Sequence, residues 1–171
     1  MHAERSSKEA ALAALYDEYY DKIARYIFVR IGDRAEAEDL AGEVFMKALE
    51  SLNSYQERGV PMQAWLFKIA HNLVVDYLRK MTKRKTVSMD TIQIESDVNP
   101  AAVAEKNIEL ERVNKAMEQL TTEQKEVLRL RFFGGLTSGE AGRVLNKSDG
   151  AVREMQRAAI EKLRKLLATD S

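Results

Sequence analysis

The sequence predicts an all-α protein built from two small helical modules joined by a linker. Three observations carry that reading. Hydrophobic residues make up 45% of the 171 positions and charged residues 32%, a balance that suits helices with an apolar stripe and a charged outer face and excludes a disordered chain. Only eight glycines and two prolines occur, too few for the many turns of an all-β fold. Only two stretches, 53–61 and 86–106, lack a 3.6-residue apolar period. The modules are therefore expected at 1–85 and 107–171, with 86–106 between them.

In the first module, Ser6 or Ser7 can cap a helix that carries Ala11, Leu12, Leu15, Tyr19, Ile23, Tyr26 and Ile27 at i, i+3, i+4 spacing. Ile31-Gly32-Asp33 should end it. A second helix is expected from about Arg34 to Leu52, burying Ala37, Leu40, Ala41, Val44, Phe45 and Ala48. The third should open at Pro61, a favourable first helical residue, and run to about Arg84 with Met62, Leu66, Ile69, Leu73 and Tyr77 on one face.

The second module opens with a helix ending near Leu120. Thr121 with Gln124 offers a capping box for a helix through Phe132, and Thr137 with Glu140 offers another for a short helix ending by Leu145. Asn146 can take a left-handed conformation, and Ser148 can cap a last helix through about Leu167. Two short helices joined by a tight turn make a helix-turn-helix layout, which serves DNA binding or plain packing equally well.

Net charge is zero, 27 basic against 27 acidic residues, which at first argues against nucleic acid. The charges are segregated, however. Residues 1–50 hold seven basic and eleven acidic side chains, net −4, and 51–85 hold seven and two, net +5. The linker is net −3 (one against four), 107–142 net −1 (five against six) and 143–168 net +4 (seven against three). Each module thus ends on a basic helix.

Cysteine is absent, so disulfides and thiol chemistry are excluded. No apolar run approaches the ~18 residues of a membrane span, and the amino terminus lacks the apolar stretch of a signal peptide; a cytoplasmic protein with no membrane insertion is expected. Glu36, Asp39 and Glu43 share one face of the second helix. Without a histidine partner or a phosphate loop, that face is either solvated or a dock for a basic protein. On the third helix Lys68, His71, Asn72 and Arg79 form a stripe that is either a solvated face or a track for phosphates, with Trp65 at its border. On the last helix Gly150, Arg153, Glu154 and Arg157 point outward, where they can pair among themselves or meet base edges.

Together these residues resemble a known family. The run 37–45 (Ala-Glu-Asp-Leu-Ala-Gly-Glu-Val-Phe), followed by 64–72 (Ala-Trp-Leu-Phe-Lys-Ile-Ala-His-Asn) and 76–80 (Asp-Tyr-Leu-Arg-Lys), is similar to region 2 of bacterial extracytoplasmic-function (ECF) RNA polymerase sigma factors. The segments 120–128, 131–137 and 150–153 resemble their region 4. The chain departs from the family at Leu49, where tryptophan is frequent, at Asn146, where glycine is, and at Ala158, where a basic residue is.

The resemblance implies a dissociable initiation subunit that is not an enzyme and needs no cofactor or metal. It binds core RNA polymerase, on the β′ clamp helices and the β flap, and directs initiation at promoter DNA. Glu36, Asp39, Leu40, Glu43 and Phe45 would dock on the polymerase. Tyr55, Arg58 and Trp65 would border a pocket for an unstacked base of the −10 element, with Lys68, His71, Asn72, Arg79 and Lys80 on the same strand. Ser148, Gly150, Ala151, Arg153, Glu154 and Arg157 would read the −35 element. An anti-sigma factor is the further partner implied. Two other functions suit the bare pattern: a stand-alone helix-turn-helix transcriptional regulator, and a helical interaction protein with no DNA role.

Overall fold

The structure, a computed structural model, describes residues 2–55, 60–85 and 100–169. Among them it has seven α-helices and no strand: α1 (His2–Ile31), α2 (Arg34–Glu50), α3 (Met62–Lys85), α4 (Pro100–Glu118), α5 (Thr122–Leu128), α6 (Ser138–Leu145) and α7 (Asp149–Thr169). A 3₁₀ turn at Leu52–Ser54 follows α2 and a π-helical turn at Arg129–Phe133 follows α5.

Four of the expected caps are present, at Thr121, Thr137, Asn146 and Ser148, and Asp33 adds another. The Asp33 carboxylate accepts from the Glu36 N–H at 3.1 Å to open α2, directly after Gly32 turns the chain at φ +76°. Thr121 with Gln124, and Thr137 with Glu140, both close full capping boxes, each satisfying two otherwise orphan amides. Asn146 takes the left-handed conformation at φ 58°, ψ 47°, and the Ser148 hydroxyl accepts from the Ala151 N–H at 3.1 Å. The six residues expected to be buried on α2 are the six that are buried.

Three boundaries differ from expectation. Helix α1 passes through Ser6 and Ser7 to begin at His2, because Arg5 pairs with Glu9 one turn on and reaches Asn53 Oδ1 at 3.0 Å and the Leu49 carbonyl at 3.3 Å. These bonds tie the first turns of α1 to the end of α2. Helix α4 starts at Pro100, within the segment expected to link the modules, since proline suits a first helical turn. Helix α5 stops at Leu128 instead of running through Phe132. The wider π turn, closed by the Gly134 N–H on the Arg129 carbonyl at 3.1 Å, turns Leu130 inward and leaves Phe132 and Phe133 exposed.

The two expected modules do not stand apart. One continuous apolar cluster runs from Ile23, Ile27, Val44, Leu66, Phe67 and Val74 of α1–α3 to Val127, Leu130, Leu136, Ala141, Val144 and Val152 of the second module. A smaller cluster, Leu120, Leu128 and Ala159, joins α4, α5 and α7, where Arg112 donates to the Leu167 carbonyl at 2.9 Å. The shared core explains why α3 buries more than the expected stripe. Met62 and Leu66 are buried, but so are Phe67, Ala70, Val74 and Leu78, while Ile69, Leu73 and Tyr77 are only half-buried. The added buried residues include the side of α3 against which the second module packs. At the closest approach Gly134 meets the Phe67 ring, where a Cβ would lie 3.0 Å from Cε1.

Gly142 has a similar role inside the helix-turn-helix. A Cβ there would lie 2.4 Å from the Lys147 carbonyl oxygen, so the turn closes onto α6 only with glycine at this position. Gly139, by contrast, would bring a Cβ no nearer than 4.0 Å to any neighbour, the Thr137 hydroxyl. Gly142→Ala is therefore expected to destabilise the protein by about 1–3 kcal/mol through overpacking, and Gly139→Ala to stabilise it by about 0.5 kcal/mol through helix propensity. Urea denaturation of the two variants distinguishes them, and equal midpoints would contradict the assignment.

Candidate protein- and nucleic-acid-binding faces

Three open faces and one buried cluster hold nearly all the residues singled out in the sequence. The first face lies on α2. Glu36, Asp39 and Glu43 are exposed, as expected, but Leu40 and Phe45 turn into the core. The exposed apolar side chains beside the carboxylates are Met46, Leu49 and Tyr16. Tyr16 stands edge-on to Phe45 with centroids 5.0 Å apart and lies 5.2 Å from Tyr20. Sequence reasoning missed Met46 and Leu49 although the signal was there: both fall outside the buried 37, 40, 41, 44, 45, 48 pattern while being as apolar as its members.

The second face lies on α3. Lys68, Asn72, Arg79 and Lys80 are exposed, with Lys80 paired to Asp76 at 3.1 Å. Tyr55 and Trp65 come together at its amino-terminal end, ring centroids 4.9 Å apart and tilted by 37°. The Tyr55 hydroxyl donates to the Val60 carbonyl at 2.9 Å, and Lys8 donates to the Tyr55 carbonyl at 2.9 Å. This is an aromatic corner with one half-buried indole. Arg58 lies outside the described residues.

The third face is formed by α6 and α7. Ser148, Gly150, Arg153, Glu154 and Arg157 are exposed and Ala151 is half-buried. Arg131, Arg153, Arg157 and Arg164 line an open cleft of about 660 Å³ beside Ser138 and Gln156. Arg131 is fixed by Gln156 Oε1 at 2.9 Å and the Leu136 carbonyl at 2.5 Å. Arg153 faces Asp149 at 3.4 Å, and Arg157 bridges Glu154 and Glu161 at 2.5 and 2.9 Å. Hydrogen bonding to Arg157, then its charge, holds the Glu154 carboxyl below its ordinary value. Arg153 and Arg157 are thus held by i, i+3 and i, i+4 carboxylates of their own helix.

The remaining residue of the α3 stripe, His71, is half-buried at the edge of that face, its ring turned toward the second module. Its Nδ1 lies 3.3 Å from the Tyr26 hydroxyl, 3.3 Å from Arg30 Nη1 and 3.5 Å from Glu126 Oε1. Glu126 comes from α5 and is 3% exposed. Tyr26 donates a short hydrogen bond to it, Arg30 Nη1 lies 3.1 Å from its Oε2 and Arg129 Nη1 3.7 Å. Burial alone would raise the Glu126 carboxyl. The His71 hydrogen bond, the charge of Arg30 and the Tyr26 hydroxyl outweigh it and hold the carboxyl at about 2. The Tyr26 hydroxyl is pushed well up by burial and by the same carboxylate. Among the described residues no group of three or more His, Asp or Glu side chains is placed to hold a metal ion, and no helix is long and apolar enough to cross a membrane.

The Sigma-70 region 2 family matches residues 15–84 and Sigma-70 region 4 matches residues 116–165. The chain belongs to the ECF RNA polymerase sigma factors. It is 30% identical over 148 residues to the ECF RNA polymerase sigma factor SigD of Mycobacterium tuberculosis, covering 83% of this chain and 70% of SigD. With the ECF sigma factor BldN of Streptomyces coelicolor identity is 34% over 166 residues, 94% of this chain; the chain spans 62% of the length of BldN. The structure of CnrH in complex with the cytosolic domain of CnrY superposes with a TM-score of 0.70 at 25% identity, over 99% of this chain and 96% of CnrH.

The depressed Glu126 carboxyl makes module packing acid-sensitive. A carboxyl held at about 2 when packed, against 4.5 when freed, contributes stability that is complete above pH 4.5 and is lost as pH falls toward 2. The loss is expected to total roughly 3 kcal/mol. Thermal melts between pH 6 and pH 2.5 should show that component in the wild type and lack it in Glu126→Gln; identical profiles would contradict it.

Proposed function

We propose that the chain binds core RNA polymerase through α2 and lends it promoter specificity, leaving nucleotidyl transfer to the core. The observation that carries this reading is the presence on one chain of two separate open basic faces with different shapes. The α3 face offers cations beside the half-buried Trp65 indole, which is backed by the buried Tyr55 ring and suits a single strand whose bases can unstack onto an aromatic surface. The α7 face offers a helix amino terminus with Arg153, Glu154 and Arg157, which suits a duplex major groove. We assign the −10 element to the first, with Tyr55, Arg58 and Trp65 bordering the unstacked base and Lys68, His71, Asn72, Arg79 and Lys80 along the strand. The −35 element falls to the second, with Ser148, Gly150 and Ala151 at its start.

On α2 the docking set becomes Glu36, Asp39 and Glu43 with the exposed Met46, Leu49 and Tyr16; Leu40 and Phe45 serve it from beneath by holding the helix and the Tyr16 ring in place. Carboxylates around exposed apolar side chains fit a basic helical partner, steering it by charge and holding it by burial. An anti-sigma factor would act by covering these faces; the similar CnrH was solved in complex with the cytosolic domain of CnrY.

Run-off transcription with purified core polymerase tests the proposal. The full chain is expected to produce transcripts from its promoter that core alone does not, and no gain would contradict it. Glu36→Lys with Glu43→Lys should weaken core binding at least tenfold. Arg153→Ala should weaken holoenzyme binding to −35 duplex by about 5- to 150-fold, as for loss of one base contact worth ~1–3 kcal/mol, without changing core affinity. A mobility shift of promoter duplex by the free chain, as tight as by holoenzyme, would favour a stand-alone regulator instead.

A further inference from the structure

The Tyr26 hydroxyl, the Arg30 guanidinium and the His71 ring of the first module converge on one point, and of the three the proposed function uses only His71. Tyr26 and Arg30 stand one turn apart on α1, and His71 reaches the same point from α3. The first module itself orients them. Phe67 packs edge-on to the Tyr26 ring at 5.6 Å and 74°, and Tyr26 and Arg30 each lie 3.3 Å from the His71 ring nitrogen. Only the acceptor, the Glu126 carboxylate, belongs to the second module. A cradle built by one module and filled by an anion from the other is a receptor with a removable occupant.

The cradle also lies beside the proposed strand-binding face. Lys68 and Asn72 flank His71 on α3 and are exposed, and Arg79 and Lys80 continue the basic side chains along the helix. The 51–85 segment as a whole is net +5, seven basic residues against two acidic. That surround favours an anionic polymer over an isolated carboxylate. A phosphodiester presents two free oxygens, as Glu126 does, and can accept from a guanidinium, a phenol and an imidazole together.

We propose that the Tyr26–Arg30–His71 cradle is a binding site for a backbone phosphate of single-stranded DNA, and that in the free protein Glu126 occupies it in the phosphate's place. The inference rests on α3 being the single-strand face. Parting of the modules withdraws Glu126, exposes the cradle and extends the phosphate track across α3 to α1. Until then the second module blocks part of the first module's own DNA site, so a strand and Glu126 compete for one set of donors.

The test uses the full chain and a fluorescent single-stranded 20-mer of mixed sequence, with the matching duplex as control. Glu126→Gln is expected to bind the strand about tenfold more tightly than wild type, the size of one charge-assisted contact. The slope of log affinity against log salt should steepen by about 0.7, one single-strand phosphate. Adding Arg30→Gln should remove both gains, and Glu123→Gln, a charge lost from the exposed side of the same helix, should give neither. Glu126→Asp keeps the charge but shortens its reach, and should give a smaller gain in the same direction if the glutamine variant does not fold. No gain in either variant, a gain that survives Arg30→Gln, or an equal gain for duplex would overturn the proposal. So would a gain confined to core polymerase, since the cradle would then take a protein carboxylate. Run-off transcription by the wild type tests the underlying reading separately: transcription without the strand-binding gain refutes the cradle alone.

Discussion

A single carboxylate, Glu126, sits where the two halves of this protein meet, and the arrangement of everything else depends on its being paired. It is 3% exposed and faces Tyr26, Arg30 and His71 from residues 1–85. Arg30 is itself only 7% exposed. Removing one member of such a buried pair typically costs about 3–5 kcal/mol, because the other charge is left without compensation. Here the cost has an upper limit: the modules can separate and let water solvate both groups. The cluster therefore ties packing of the modules to its own integrity, whereas an all-apolar interface would tolerate the loss of any one side chain.

That polar centre is set within a continuous apolar core from Ile23 to Val152, and the two parts have different consequences. The apolar part supplies attraction without direction. The carboxylate and its three donors fix the register of α5 against α1 and α3, and Gln63 adds a second directional bond to Glu140 at 2.7 Å. Glu140 is also the N3 partner of Thr137 in the capping box of α6, so the helix-turn-helix is oriented against α3 through the first turn of its first helix. The side chains assigned to docking on α2 and to duplex reading on α7 stay exposed with the modules packed, so under the proposed function only the α3 cradle has to wait for their separation.

Much of this was legible in the sequence because it is local. Capping boxes at Thr121 and Thr137, the left-handed Asn146 and the six buried positions of α2 follow from spacing and residue type alone, and all are present. The open stripe of α7 was legible for the same reason. What was not legible involves residues far apart in the chain. Glu126 reads as one more charged residue of a capped helix, and only contact with Tyr26, 100 positions away, makes it a buried anion. Likewise His71 was placed with Lys68 and Asn72 by helical periodicity, yet the second module turns it inward. The π turn after Leu128 escaped notice because nothing in the composition of Arg129–Phe133 distinguishes it from α5.

On the proposal above, Glu126 holds the modules together in the free protein, and they are expected to part when the chain engages the polymerase. Because the chain has no cysteine, Lys22→Cys and Phe133→Cys can carry a unique pair of spin labels on either side of the contact, near the point where Lys22 reaches within 3.7 Å of the Cβ position at Gly135. Pulsed electron-electron resonance on the free chain should give one short, narrow distance, shifted to a longer and broader distribution by Glu126→Gln and by binding to core polymerase. A long distance in the free wild type, or a short one that neither the substitution nor the polymerase changes, would contradict it.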